Sequence, residues 1–551
     1  MAHSSLVTDL LKRFDQLEEQ RKNWDNHWEG LARIIWPDAN DFRTQRQPGE
    51  ERAQEVFDAT AALALEKFAA AMESLLTPRA QKWHRLKASL DELNEEQEVK
   101  EWFDQTNKTL FRYRNSPRAA YYSQKHEGYK SLGCFGNDCM FVDGLPEGGI
   151  RYQNCHISQI FTEIDHHGRV DTIFRKYPLS AKAAFQKWGG LIPEKIGTAL
   201  QNEPFKSFDF LHVVLPRIEG FDPNRADFMG MPWAAFDIAI DSKHMITEGG
   251  FHEMPYMYSR YTLNPNERYG RSPAMLVLPS VRMLQEMKKT HIRLGHKVAD
   301  PPLLLFDDGV LGAGSNQVKL HAGGMNFGGL DEQGRALIKP LVTGGRLDLS
   351  EAMMEEERRA INDAFLVTLF QILVDTPNMT ATEALLRAQE KGQMLAPMVG
   401  RQQSEMLGPQ IEREIAILQR QGRLPPLPQV LLEAEGEYDI DYESPATRMQ
   451  RVEELVGIQR TIEIMAPFVQ IDPAALEIFK PDEVARLAAD IQGVPQIVLN
   501  SPEELEEIRE ARAQAAEEAK LEQSIPTGAA ALKDVAAAQA DFAQVPGEVS
   551  G

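Results

Sequence analysis

Long apolar runs are missing from this chain. No stretch approaches the roughly 18 consecutive apolar residues of a bilayer-spanning helix, and residues 1–10 lack the basic start and apolar core of a secretory signal. The expectation is a folded soluble protein without a membrane segment. Cysteine is scarce: Cys134, Cys139 and Cys155 are the only three in 551 residues. That odd number fits a reducing compartment and argues against a disulfide framework. Positive charge is short as well, with 60 Lys and Arg against 82 Asp and Glu, a formal net charge of -22. Tight duplex binding relies on Lys and Arg neutralising phosphates, and this balance argues against it. A surface along which DNA slides without sticking is still allowed.

Catalytic signatures are missing too. The phosphate-binding pattern Gly-x-x-x-x-Gly-Lys-Ser/Thr does not occur, and Gly312-Ala313-Gly314-Ser315 and Gly323-Gly324 lack the lysine and the helix that should follow. An ATP-driven motor is therefore not expected. His252-Glu253 has no second histidine at metalloprotease spacing. Cys134 and Cys139 with His126, or Cys155-His156 with His166-His167, match no common zinc module. No Gly-x-Ser-x-Gly elbow is present, and Asp307-Asp308 reads as a turn before Gly309. The expectation is no cofactor, no metal and no enzyme activity.

What is present is length, and one unusual stretch. With 42% hydrophobic and 26% charged residues over 551 positions, about two to four domains are expected. Residues 273–373 carry two long helical patterns. The first places Ala274, Leu278, Val281, Leu284 and Met287 at helical spacing and stops at Asp300-Pro301-Pro302. The second opens at Asp348-Leu349-Ser350-Glu351, carries Met353, Ile361, Phe365 and Leu369, and stops at Asp375-Thr376-Pro377. Between them, residues 301–347 hold ten glycines and short β-type runs such as Leu303-Leu304-Leu305-Phe306. Glycine at that density marks tight turns, so the pattern predicts a small β-rich module on a two-helix stalk.

The stalk helices differ in sign. Residues 281–299 carry five basic side chains (Arg282, Lys288, Lys289, Arg293, Lys297) against Glu286, net +4. Residues 348–363 carry six acidic side chains, among them Glu351, Glu355 and Glu356, against Arg358 and Arg359, net -4. Two such helices can pair within one chain or between neighbours, or stand as solvated faces of a bundle.

Elsewhere the spacing predicts a helix ending at Trp36-Pro37, an alanine-rich helix over about 52–76 and a third over about 95–113. Short strands are predicted over 141–150, 160–164, 170–177, 211–216, 236–240 and 257–261, with a helix over 180–188. A helix starting after Thr380-Ala381-Thr382-Glu383 is expected to run, bent at Gly392, Pro397 and Gly408, to about Gln421. Several short helices follow over 445–500. An acidic helix over 502–523 leads into an Ala/Gly/Gln/Ser-rich tail expected to be mobile.

Several blocks together resemble one family. Trp24-Asp25-Asn26-His27-Trp28-Glu29 with Pro37, Phe57-Asp58-Ala59-Thr60-Ala61, Leu75-Leu76-Thr77-Pro78 and Trp83 to Leu86 come first. Tyr269-Gly270-Arg271-Ser272-Pro273-Ala274, Leu278-Pro279, Asp300-Pro301-Pro302, Asp307-Asp308-Gly309-Val310-Leu311 and Asn378-Met379-Thr380-Ala381-Thr382-Glu383 follow. In this order the chain resembles the portal proteins, the head-to-tail connectors of short-tailed bacteriophages.

The resemblance implies a mainly helical α+β subunit in a ring of about twelve around an axial channel. It implies an N-terminal α+β wing over 1–271, stem helix one over 272–300, a clip over 301–347 and stem helix two over 348–373. A channel loop over 374–382, a long bent helix returning to the wing over 383–440, a helical crown over 441–500 and the tail from 501 complete the chain. Asp375, Thr376, Pro377, Asn378, Met379 and Thr380 would form the channel loop. Asp307, Asp308, Lys319, Asn326, Phe327 and Arg335 of the clip would dock the packaging motor and later the tail. The charged stem residues named above would join neighbouring subunits. The implied partners are further copies of the chain, the terminase large subunit, tail adaptor proteins, capsid and scaffolding protein, and double-stranded DNA passing without sequence recognition. An adaptor ring that never handles DNA and an enzyme with an unfamiliar site are the alternatives.

Overall fold

The computed structural model describes residues 2–43, 49–94, 96–218, 220–299, 347–367, 395–433 and 437–443, with pieces at 303–305, 333–336, 338–340 and 480–492 and parts of 457–465 and 504–515. The chain divides into two units, Met1–Glu453 and Glu454–Gly551. In the second unit a helix spans Pro481–Gln492, where Asp482 takes Arg509 at 2.7 Å.

The first unit opens with α1 (Ala2–Ile35), which stops where Pro37 cannot continue a helix. Helix α2 (Thr60–Leu76) and strand β1 (His84–Ala88) follow. Helices α3 (Gln97–Arg114) and α4 (Tyr121–Phe135) come next. Then come β2 (Asn137–Gly144), β3 (Ile150–Asn154), β4 (Ile160–Ile164) and β5 (Val170–Ser180). Helices α5 (Ala181–Trp188) and α6 (Glu194–Asn202) interrupt the strands. Strands β6 (Ser207–Pro216), β7 (Trp233–Ala239), β8 (His244–Phe251) and β9 (Tyr256–Arg260) close the α+β part.

Strands β4 to β8 form an antiparallel sheet in sequence order, with Phe174 opposite Val213 and Val213 opposite Phe236. Its period of two assigns the faces. Leu211 and Val213 pack against Val7, Leu10 and Phe14 of α1, while Phe208 and Phe210 pack against Ala184 and Trp188 of α5. A slip of one residue would exchange the two sets, so burial on both sides fixes the register. The second half of α1, with Trp28, Leu31 and Ile35, enters a separate helical core with Leu65, Phe68 and Met72 of α2 and Leu132 of α4.

Strands β3, β2 and β9 make a second antiparallel sheet. Helix α9 (Gly408–Arg420) packs against it, with Arg413 donating to the Val142 carbonyl of β2. Strand β12 (Tyr438–Tyr442) pairs antiparallel with β1, so residues far apart in the chain share one ladder. An ion pair is buried among these elements. Both Arg114 and Glu414 are fully enclosed, and Glu414 accepts from Arg114 Nε at 2.8 Å, Tyr152 OH at 2.8 Å and Gln410 Nε2 at 2.6 Å. His84 lies beside them, and burial followed by the Arg114 charge holds its pKa well below the ordinary value. It is therefore neutral at pH 7.

Several expectations shift. Helix α2 begins at Thr60, not near 52, because the Asp58 carboxylate takes the Thr60 N–H at 2.9 Å and ends the preceding loop there. The strand expected over 141–150 is two strands joined through Gly148 and Gly149, at φ +93° and +102°. Helix α4 lay outside the expected elements, since Gly128, Ser131 and Gly133 on its buried side blur the apolar period. Pro397 lies in a described helical stretch, 395–402, which passes through a π-helical turn, Gln403–Leu407, just before Gly408. Position 392 lies outside the described residues. All three cysteines are free and buried.

Removing one member of the enclosed pair leaves the other charged without a partner, which costs about 3 to 5 kcal/mol. Glu414→Ala is expected to lower the melting temperature by many degrees. A thermal melt indistinguishable from wild type would sink this account.

Candidate functional site

The stalk begins at a fixed point. At Gly270 an added Cβ would stand 2.3 Å from the Gly136 carbonyl oxygen, and Gly136 has φ +79°. Only glycine suits both positions. Asn137 Oδ1 accepts from Gly270 N and from Tyr258 OH, each at 2.8 Å. Ser272 Oγ donates to the Cys134 carbonyl at 2.8 Å and accepts from Met275 N at 3.0 Å, a side-chain cap for the helix that follows. The Tyr269 ring sits 5.7 Å from Trp24 and 5.2 Å from Trp28.

From this anchor run α7 (Pro273–Ala299), a short antiparallel pair β10 (Leu303–Leu305) and β11 (Ile338–Pro340), and α8 (Leu347–Ala364). The first half of α7 is core: Ala274, Val281 and Leu284 are buried. Its far half emerges, and Thr290, Ile292, Arg293 and Lys297 are exposed. Helix α8 returns beside it with Met354, Ile361 and Phe365 buried. The expected second helix reaches residue 373; α8 ends at Ala364, where Phe365 and Leu366 turn and Leu366 has φ 58°. Residues 368–373 lie outside the described residues.

The loop before α2 clasps both helices where they leave the core. Gln285 of α7 accepts from the Phe57 and Asp58 N–H groups at 2.7 and 2.9 Å and donates to the Asp58 carbonyl at 2.7 Å. Arg358 of α8 donates to Asp58 Oδ2 from Nη2 at 2.7 Å and from Nε at 3.2 Å. Burial opposes the charge on Asp58, and the hydrogen bonds from Thr60 and Arg358 outweigh it, so its pKa lies below the ordinary carboxylate value. Further along, His291 Nδ1 meets Ser350 Oγ at 3.3 Å. Both helices thus engage Asp58 where they leave the core, and further along His291 stands level with Ser350, so α7 and α8 run antiparallel.

The charged stem residues lie on these helices, but one chain does not bring them together. Arg282, Arg293, Lys297, Glu351, Glu355 and Glu356 are exposed, and Lys288 and Lys289 are half-buried. Lys289 pairs with Glu286 of its own helix at 3.6 Å, and Glu355 with Arg358 of its own at 3.3 Å. Arg282 turns towards α1, beside Gly30 and close enough to His27 to help burial lower its pKa. Arg335 is exposed in its short described piece. Asp307, Asp308, Lys319, Asn326 and Phe327, and the loop residues Asp375, Thr376, Pro377, Asn378, Met379 and Thr380, lie outside the described residues. Sequence reasoning missed the roles of Asp58, Gln285 and Arg358. The signal available was Asp58-Ala59-Thr60, a carboxylate two residues before a hydroxyl at a helix start.

Among the described residues no group of three or more His, Cys, Asp or Glu side chains could hold a metal ion, and no helix is long and apolar enough to cross a membrane. The family model for the bacteriophage head to tail connecting protein matches residues 7–499. This chain belongs to that family. The connector is 28% identical over 532 residues to the "Probable portal protein" of Bordetella phage BPP-1, covering 93% of this chain and 92% of the relative. It is 27% identical over 540 residues to the "Portal protein" of Salmonella phage epsilon15, covering 95% of each. Among solved structures, a chain of the virion of a native gene transfer agent particle aligns with TM-score 0.34 and 12% identity, over 79% of the connector and 90% of that chain.

Asp58→Ala removes the clasp on α8 and one hold on α2. It is expected to destabilise the connector by about 2 kcal/mol. Because folding lowers the Asp58 pKa, its contribution is present above about pH 4 and is lost as pH falls through the folded value. The melting difference between wild type and variant should therefore shrink below about pH 4. A difference that stays constant down to pH 3 would show that the carboxylate charge is not what matters.

Proposed function

We propose that this connector is the portal of its phage, a closed ring of about twelve subunits at one capsid vertex through which duplex DNA enters and leaves. The observation that carries the reading is the match to the connector family along nearly the whole chain, joined to a two-helix stem whose outward charges find few partners inside one subunit. In this reading residues 1–271 are the wing, α7 and α8 the stem, 301–347 the clip, and 441–500 the crown. Assembly takes place in the host cytoplasm against capsid and scaffolding protein. A separate terminase supplies the force, which fits the lack of a phosphate-binding loop in this chain.

Electrostatics support passage over capture. A protein of net charge -22 releases few counterions on meeting DNA, so its contacts with phosphates are weak and the duplex slides. The clip residues Asp307, Asp308, Lys319, Asn326, Phe327 and Arg335 are assigned to docking of terminase and then of tail adaptors. The segment Asp375 to Thr380 is assigned to narrowing the channel and holding packaged DNA. An adaptor ring without a packaging role is the less favoured alternative, because both relatives above carry the portal name.

In a packaging reaction with procapsids and terminase, deletion of residues 376–379 should leave ring assembly intact and full heads leaky. Rings that support no packaging at all, with the wild-type chain present, would favour the adaptor. Deletion heads as stable as wild type would remove the loop assignment.

A further inference from the structure

Two of the three cysteines face each other across a ladder. Strands β2 and β3 pair Met140 with Asn154, and one step further along the same register Cys139 stands opposite Cys155. The Cys155 N–H donates to the Cys139 carbonyl at 2.8 Å. Residues opposite each other in an antiparallel pair point to the same face, with Cα atoms about 5.5 Å apart at a hydrogen-bonded position. A disulfide accepts Cα separations of about 4.4 to 6.8 Å, so the backbone already stands where a link needs it. The third thiol, Cys134, is buried in α4, and burial pushes its pKa up.

The facing thiols are not equivalent. Burial and the Asp138 carboxylate raise the Cys155 pKa, but the Cys139 thiol, the Arg175 guanidinium and the Phe141 N–H outweigh them and leave it below the ordinary value. Burial and the Cys155 sulfur raise that of Cys139. Arg175 of β5 is held by Gln159, whose Oε1 accepts from its Nε at 3.2 Å. A cation and an N–H at one sulfur favour the thiolate there. The cover over Cys155 is thin. Strand β3 ends at Asn154, and Gln153, Asn154 and His156 are half-buried, so a local opening of the strand end admits a small oxidant.

We propose that Cys139 and Cys155, free thiols in this structure, are a redox pair that hydroperoxides close to a cross-strand disulfide. The Cys155 sulfur attacks one peroxide oxygen, the O–O bond breaks, and the thiol proton leaves with the departing oxygen as water, giving a sulfenic acid. The Cys139 sulfur then attacks the Cys155 sulfur. The S–O bond breaks, the S–S bond forms, and hydroxide leaves with the Cys139 proton as a second water. Two thiols lose two electrons, and one peroxide gains them. The link falls on the strand that carries Asn137, whose side chain holds Gly270 at the foot of the stem. Oxidation outside a reducing compartment therefore staples the sheet that bears the stem anchor. None of this depends on the ring reading.

The test treats the folded full chain with hydrogen peroxide, alkylates the remaining thiols after unfolding, and maps peptides without reduction. Wild type should lose the mass of two hydrogen atoms, with Cys139 linked to Cys155 and Cys134 alkylated. Cys139→Ser should stop at the sulfenic acid, so that a cyclic diketone probe labels Cys155, while Cys155→Ser should leave Cys139 unlabelled. Arg175→Gln should slow closure about tenfold. Should a variant fail to fold, the wild-type map decides alone. Cys155 recovered as a thiol, a link that includes Cys134, or Cys155 carried to sulfinic acid with Cys139 untouched overturns the proposal. The oxidised chain should melt at a higher temperature than the reduced one, because the link closes a loop in the unfolded chain. An oxidised chain that melts no higher defeats the stapling role.

Discussion

Everything above the core depends on how two helices are held where they leave it. Helix α7 runs from buried Ala274 and Val281 to exposed Arg293 within one uninterrupted helix, so its outer half has no apolar partner within the described chain except α8. Asp58 resolves this. Its backbone engages Gln285 on one helix and its side chain engages Arg358 on the other. One loop residue thereby sets the spacing of both. The cost of burying the carboxylate is offset by Thr60 and Arg358, and the depressed pKa records the sign of that balance.

The same logic recurs at larger scale. The connector buries charge repeatedly, at Arg114 with Glu414, at Lys125 with Asp138, and at Arg260 with Glu405. Each pair joins segments distant in sequence or on different elements, and each supplies direction that apolar contact lacks. A hydrophobic surface tolerates small rotations of a helix on its bed. A carboxylate with three donors does not, because turning the helix leaves a buried group unmatched. Helix α9, with Arg413 donating to the Val142 and Glu253 carbonyls at 2.7 and 2.9 Å, is located in this way.

Much of this was legible in the sequence. Helix α7 showed itself through helical spacing that ends before Pro301, the body of α8 through the spacing of Met354 and Ile361, and the sheet through short β-branched and aromatic runs between turn signals. The family blocks were legible as words before their grammar was known. Tyr269-Gly270-Arg271-Ser272 proves to be an anchor in which Gly270 and Gly136 touch backbone to backbone. What escaped was non-local. Nothing near His84 announces Tyr442 as its partner on a ladder, and nothing near Phe57 announces Gln285. Helix α4 escaped for a different reason: it is enclosed on most sides, so its residues need not alternate between oil and water, and periodicity has nothing to report. The start of α2 was misplaced because alanine-rich composition continues the helical pattern upstream, while one carboxylate decides where the first turn closes.

Helix α1 has a mechanical consequence. At 34 residues it is about 50 Å long, and it is bolted at one end to the five-stranded sheet through Phe14 and Leu17 and at the other to the core beneath the stem through Trp28 and Ile35. It behaves as a strut. Because the helix is continuous between these two anchors, moving the sheet relative to the base of the stem must either bend α1 or disturb one of its two packed ends. The sheet and the base of the stem thus share one helix, and a tilt of either costs packing at Phe14 and Leu17 or at Trp28 and Ile35.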